Sequence, residues 1–175
     1  LSIDQKYIMV AEGIVSPTGY DPPTPFDVAI YQPAREMASM TSRTDVLMHH
    51  GSTDAPVIDI YETQPGTGLW VDNLAYAGFS GYLELQPEDY IIEVRNESGT
   101  EKIAAYELPL ETLGLDSYAI TVLASGFLDP GNNSNGPDFG LWFTSALGGN
   151  LIKLAEYSPT ARVQIIHNSA DEAAE

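Results

Sequence analysis

His50, Ser52 and Asp54 bring together the three residue types of a hydrolase triad, and the same types return as His167, Ser169 and Asp171. A triad needs a hydrogen-bonded relay from Ser hydroxyl to imidazole to carboxylate, with an oxyanion hole beside it. Alternate residues of a strand share a face, but these three run off a strand end towards Pro56. There, Ser and Asp side chains ordinarily bond nearby backbone amides and set a turn. A turn repeated in a second copy is a simpler reading than an active site repeated there. The expectation is a structural turn motif in both places, no catalytic residues and no enzyme.

Four other groupings could carry chemistry. His49 beside His50 suggests a transition metal, but successive strand residues point to opposite faces, and the second copy has Ile166 in place of the first histidine. His49 is therefore expected as a single exposed or half-buried side chain. In the loop Asp129–Asp138, the oxygens of Asp129, Asn133, Asn135 and Asp138 are the candidates for calcium, which takes about six to eight hard ligands from a flexible loop. The spacing is not that of an EF-hand. The matching stretch Ser16–Pro25 has the single acid Asp21, so the competing reading is that Asn and Gly are there to turn the chain. No cofactor is expected, calcium being the one this sequence could hold.

Trp70, Tyr76, Phe79 and Tyr82, with Trp142 and Phe143 further on, could form a platform for glycans. Strand aromatics more often pack between sheets, and core packing is the expectation; Trp70 is the least settled because it precedes a loop. Glu84, Glu88 and Asp89 supply carboxylates, but a glycosidase needs two across a cleft.

The elements that must position these residues are short stretches rich in Val, Ile, Tyr and Phe, bounded by Gly, Pro, Asn and Asp. Strands are expected over Tyr7–Ile14, Phe26–Tyr31, Val46–His50, Val57–Tyr61, Ser80–Leu85, Tyr90–Arg95, Lys102–Leu108, Tyr118–Ser125, Phe139–Phe143 and Val163–His167. Ala34–Met40 and Leu110–Leu113 are the only helical candidates, and both are short enough to be turns. This density fits an all-β antiparallel sandwich of immunoglobulin-like or transthyretin-like type, and without βαβ spacing a parallel sheet is not expected.

The chain also repeats itself. Ala11, Gly13, Pro17 and Phe26 return at one constant offset as Ala124, Gly126, Pro130 and Phe139. Val46, His50, Ser52 and Asp54 return at a slightly longer one as Val163, His167, Ser169 and Asp171. The division read from this is 1–43 as the back part of a preceding repeat, 44–157 as a complete repeat, and 158–175 as the front of a following one. Such a layout is expected of a piece of a longer array, and arrays are usually scaffolds or binders.

Composition narrows the partners. Seven Lys and Arg against 25 Asp and Glu give a net charge of −18, which repels phosphate backbones and anionic lipid. Nucleic acid is thus not an expected partner, and no apolar run is long enough for a spanning helix, so membrane insertion is not expected either. The absence of Cys removes disulfides and thiolate chemistry. The first residue is Leu, without a start Met or a signal-like segment, and is read as an internal or processed end.

The stretch His50-Gly51-Ser52-Thr53-Asp54-Ala55-Pro56-Val57-Ile58-Asp59-Ile60-Tyr61 resembles the opening of repeats in domain-of-unknown-function family 4397, a His-x-Ser-x-Asp-Ala-Pro turn followed by Val-Asp-Val-Tyr. Asn73–Tyr76, Gly81–Leu85 and Asp89–Val94 are similar to that family's central strands. In the second copy of the motif Asp171 is followed by Glu172-Ala173-Ala174-Glu175 instead of Ala-Pro. The resemblance implies an extracellular β-sandwich module, found in tandem on bacterial and archaeal surface proteins, with no catalytic residues to carry over. The resulting expectation is a secreted or cell-surface structural or adhesive module. Its partners would be neighbouring repeats or identical chains through strand pairing. A carbohydrate- or calcium-dependent adhesin is the alternative, with a hydrolase behind it.

Overall fold

In the computed structural model the described residues are 1–16, 18–160 and 163–164. His167, Ser169 and Asp171, and most of the strand expected over Val163–His167, lie outside them. The chain is all-β, as expected. Its strands are β1 (Ile8–Glu12), β2 (Asp27–Tyr31), β3 (Thr44–His50), β4 (Ile58–Gln64), β5 (Gly68–Leu74), β6 (Phe79–Leu85), β7 (Asp89–Asn96), β8 (Lys102–Pro109), β9 (Ala119–Ser125), β10 (Gly140–Ser145) and β11 (Ile152–Lys153). Ala34–Met40 and Leu110–Leu113 are indeed turns and irregular chain.

Two sheets form the central sandwich, one ordered β11-β10-β9-β3-β6 and the other β5-β4-β7-β8. Between them Val46, Met48, Ile120 and Val122 meet Ile58, Ile60, Ile92, Val94 and Leu108, all at most 2% exposed. In β7 the buried Tyr90, Ile92 and Val94 alternate with less buried residues, because that sheet has one wet face. In β3 all seven residues are buried. Its second face is covered by the antiparallel β1–β2 hairpin, which forms a small third layer.

One pairing departs from the expected antiparallel pattern. β3 and β9 run parallel, with Val46 beside Ile120 and His50 beside Ala124. A parallel pair needs a long crossover, and here the chain makes it by traversing β4 to β8 before it returns. β5 and β11 were not expected. β5 hides because bulges break its period: Ile58 and Ile60 of β4 face Leu74 and Val71, two positions against three. Buried Asp59 accepts from the amide of Asn73, which has a positive φ, and holds that irregularity in place.

Candidate functional site

The His-x-Ser-x-Asp turn leaves β3 and reaches much further than a local turn. Asp54 accepts from the amides of Leu128 at 3.0 Å and Asp129 at 2.9 Å, and from Asn133 Nδ2 at 3.2 Å. Ser52 Oγ donates to the carbonyl of Gly126 at 2.7 Å, and Gly51 N donates to Ala124 O. Nearby amides were the expected partners; instead, the parallel β3–β9 pair carries the chain segments beyond both strands side by side, so Asp54 caps the loop that follows β9. The motif is a staple between the opening of one sandwich and its last long loop.

The geometry of the trio does not form a relay. Ser52 Oγ bonds the Gly126 carbonyl at 2.7 Å and Asp54 Oδ1 at 3.2 Å, not the imidazole, and His50 Nδ1 faces the Ser52 amide at 3.4 Å. His50 Nε2 lies 2.9 Å from the Pro56 carbonyl, where it can only donate. His50 and Ser52 are fully buried, and burial pushes the His50 pKa down.

The stapled loop has a twin. Gly126 and Gly13 both have positive φ, and at either position an added Cβ would lie within 2.3 Å of a carbonyl oxygen, that of Asp138 or Pro25. Behind them the hydrogen bonds match. Phe127 N donates to Pro137 O and Phe139 N to Phe127 O; Ile14 N donates to Thr24 O and Phe26 N to Ile14 O. The backbone thus repeats where the sequence does. The twins also touch: Asn133 Oδ1 accepts from Asp21 N at 3.0 Å, Ser134 Oγ donates to Gly19 O at 2.7 Å, and the rings of Tyr20 and Phe127 pack 5.8 Å apart. This is a junction between the two copies of the loop.

Of the four calcium candidates, Asn133 is occupied in holding this junction and Asp129 in holding its own loop. Asn133 is fully buried and also donates to Asp129 O. Asp129 Oδ1 accepts from Asn132 N, and its Oδ2 from Asn132 Nδ2. Asn135 and Asp138 are exposed, and Asn135 has a positive φ. Among the described residues no group of three or more His, Asp or Glu is placed to hold a metal ion.

Two further contacts fasten 1–43 to the sandwich, and the sequence reading missed both. His49 is 1% exposed, not exposed or half-buried as expected, because the hairpin covers that face of β3. Its Nε2 lies 2.9 Å from Glu12 Oε2, and its ring packs on Phe79. Burial pushes His49 down to about 4, and burial with the nearby Asp27 pushes Glu12 up. The second contact is a clamp in which Arg35 Nη1 bonds Asp45 Oδ2 at 2.6 Å and Glu84 Oε1 at 2.9 Å, with its guanidinium over Tyr82. Asp45 is fully buried, and Ser39 N also donates to it. A charge inside the run Thr44–His50 was the available signal, since such a charge must be paired.

The aromatic residues serve packing. Trp70 meets Tyr90 edge-on and donates to Thr67 Oγ1, while Tyr31 wedges against Phe79 and Tyr82. Among the described residues no helix is long and apolar enough to cross a membrane. No protein-family model and no curated protein matches the chain.

Proposed function

We propose that this chain is a non-catalytic, extracellular structural or adhesive repeat module of a cell-surface, surface-layer or fibre-forming protein, assembling through β-strand and repeat–repeat contacts. The observation that carries the reading is the junction itself: the same glycine-anchored loop is built twice, and one copy docks on the other through Asn133, Ser134 and Phe127. Ser52 and Asp54, two of the groups a triad would need, are spent on holding the second loop against the sandwich. The motif resemblance to family 4397 points the same way, as does an acidic, Cys-free composition suited to a soluble surface-exposed module.

Sedimentation velocity of the intact chain, from micromolar to millimolar concentration and with added salt to screen the −18 charge, tests the assembly reading. The expected outcome is a sedimentation coefficient that rises with concentration. A monomer at every concentration, together with hydrolytic activity lost in Ser52→Ala, would replace it with an enzyme.

A further inference from the structure

The twin strands differ in one respect. β9 has a neighbour on each edge, β10 and the parallel strand β3. β1, its counterpart, pairs with β2 alone among the described residues. The open edge carries the backbone groups of Tyr7, Met9 and Ala11, because Lys6 O accepts from Ala34 N and so turns the alternate set towards β2. Grooves of about 430 and 170 Å³ run alongside it, the first between Ile8–Ala11 and Thr121, Leu123 and Thr144, the second continuing past Glu12 and Gly13 to Gly51 and Gly126. They form an extended trench beside a strand edge that is open among the described residues, the form that β-strand addition requires.

Resting on the assembly reading above, we propose that this trench takes residues 161–171 of a second copy of the chain. That segment repeats β3 and its turn: Val163, His167, Ser169 and Asp171 match Val46, His50, Ser52 and Asp54. The β3–β9 register then fixes the docking. The incoming strand runs parallel to β1, with Ile165 beside Met9 and His167 beside Ala11, as Met48 is beside Val122 and His50 beside Ala124. Ser169 reaches the Gly13 carbonyl, as Ser52 reaches that of Gly126. Asp171 caps the amides of Val15 and Ser16, as Asp54 caps those of Leu128 and Asp129. Repetition of the contact gives a head-to-tail chain of copies, an interface that does not close on itself.

The natural lack of Cys allows a register test in the intact chain. A Met9→Cys chain is mixed with an Ile165→Cys chain in a glutathione redox buffer, where the two thiols form one disulfide as oxidised glutathione is reduced. The expected product is the mixed dimer. It falls about tenfold when Ala11→Pro removes an open-edge donor from the first chain, or when Ile30→Cys on β2 replaces Met9→Cys. A Met9→Cys/Ile165→Cys double variant that closes only within one chain overturns the proposal by placing the segment in its own trench. No disulfide in a chain that still assembles in the centrifuge overturns strand donation and leaves the assembly reading standing. No disulfide in a chain that stays monomeric overturns both.

Discussion

The loops 13–26 and 126–139 share a backbone but not a fastening. Each starts on a glycine whose Cβ would strike a carbonyl, and each closes with the same pair of hydrogen bonds. The second is tied into the sandwich by Ser52 and Asp54. Among the described residues the first has no such carboxylate and leans on its twin through Asp21 N and Gly19 O. What is repeated is therefore the architecture of the loop, and what the first copy lacks among the described residues is the staple.

The comparison breaks most severely at the glycines. Gly126→Ala places a side chain 2.3 Å from Asp138 O at a positive φ, and is expected to cost about 3 kcal/mol in chemical denaturation. Gly13→Ala carries the same clash at 2.1 Å but should cost less than half as much globally, because its loop is exposed and joined to the core at fewer points; its effect is read as faster amide exchange in β1 and β2. Next in size are the fastenings. Asp54→Ala is expected to cost about 2–3 kcal/mol, since it removes four bonds, one of them from Ser52 Oγ, and leaves the Nδ2 of buried Asn133 short of a partner. Arg35→Met should cost about the same by leaving Asp45 buried without its cation, discounted for the partial exposure of Arg35.

Acid acts through the hairpin contact. The unfolded chain's His49 takes its proton near 6.5, whereas in the fold it stays neutral down to about 4. Between those values the unfolded state binds more protons, so stability falls as pH falls, by about 2 kcal/mol at pH 5 from His49 alone. His50, pushed down by burial, adds in the same sense. Glu12 works oppositely: raised from 4.5, its share is complete at low pH and is lost as pH rises through its folded value. Denaturant titrations at pH 7 and 5 read the net, and His49→Gln should remove His49's share of the slope, about 2 kcal/mol. The smallest effect is expected from calcium, because Asp129 and Asn133 already spend their oxygens on the loop. Millimolar calcium should leave the melting temperature unchanged, and a rise would restore the metal-dependent adhesin.

Much of this was legible in the sequence, for identifiable reasons. Strands such as β7, with one wet face, announce themselves by alternation, and the matched glycines mark the twin loops in the sequence itself. β5 was hidden by its bulges, and β3 gave only a continuous apolar run, which does not say what covers its second face. The same uncertainty misplaced His49 at the surface. The staple was half visible: Ser52 and Asp54 were recognisable as turn formers, but their partners lie beyond β9 and depend on the parallel β3–β9 pair, which nothing local encodes.

Amide exchange at four positions in the intact chain tests the central claim most directly. Leu128 and Asp129, whose amides Asp54 holds, should be protected at every concentration. Val15 and Ser16, at the matching positions of the first loop, should exchange freely in dilute solution and become protected as copies associate. Protection of Val15 and Ser16 that is the same at all concentrations, or absent even where the chain assembles, would contradict the account.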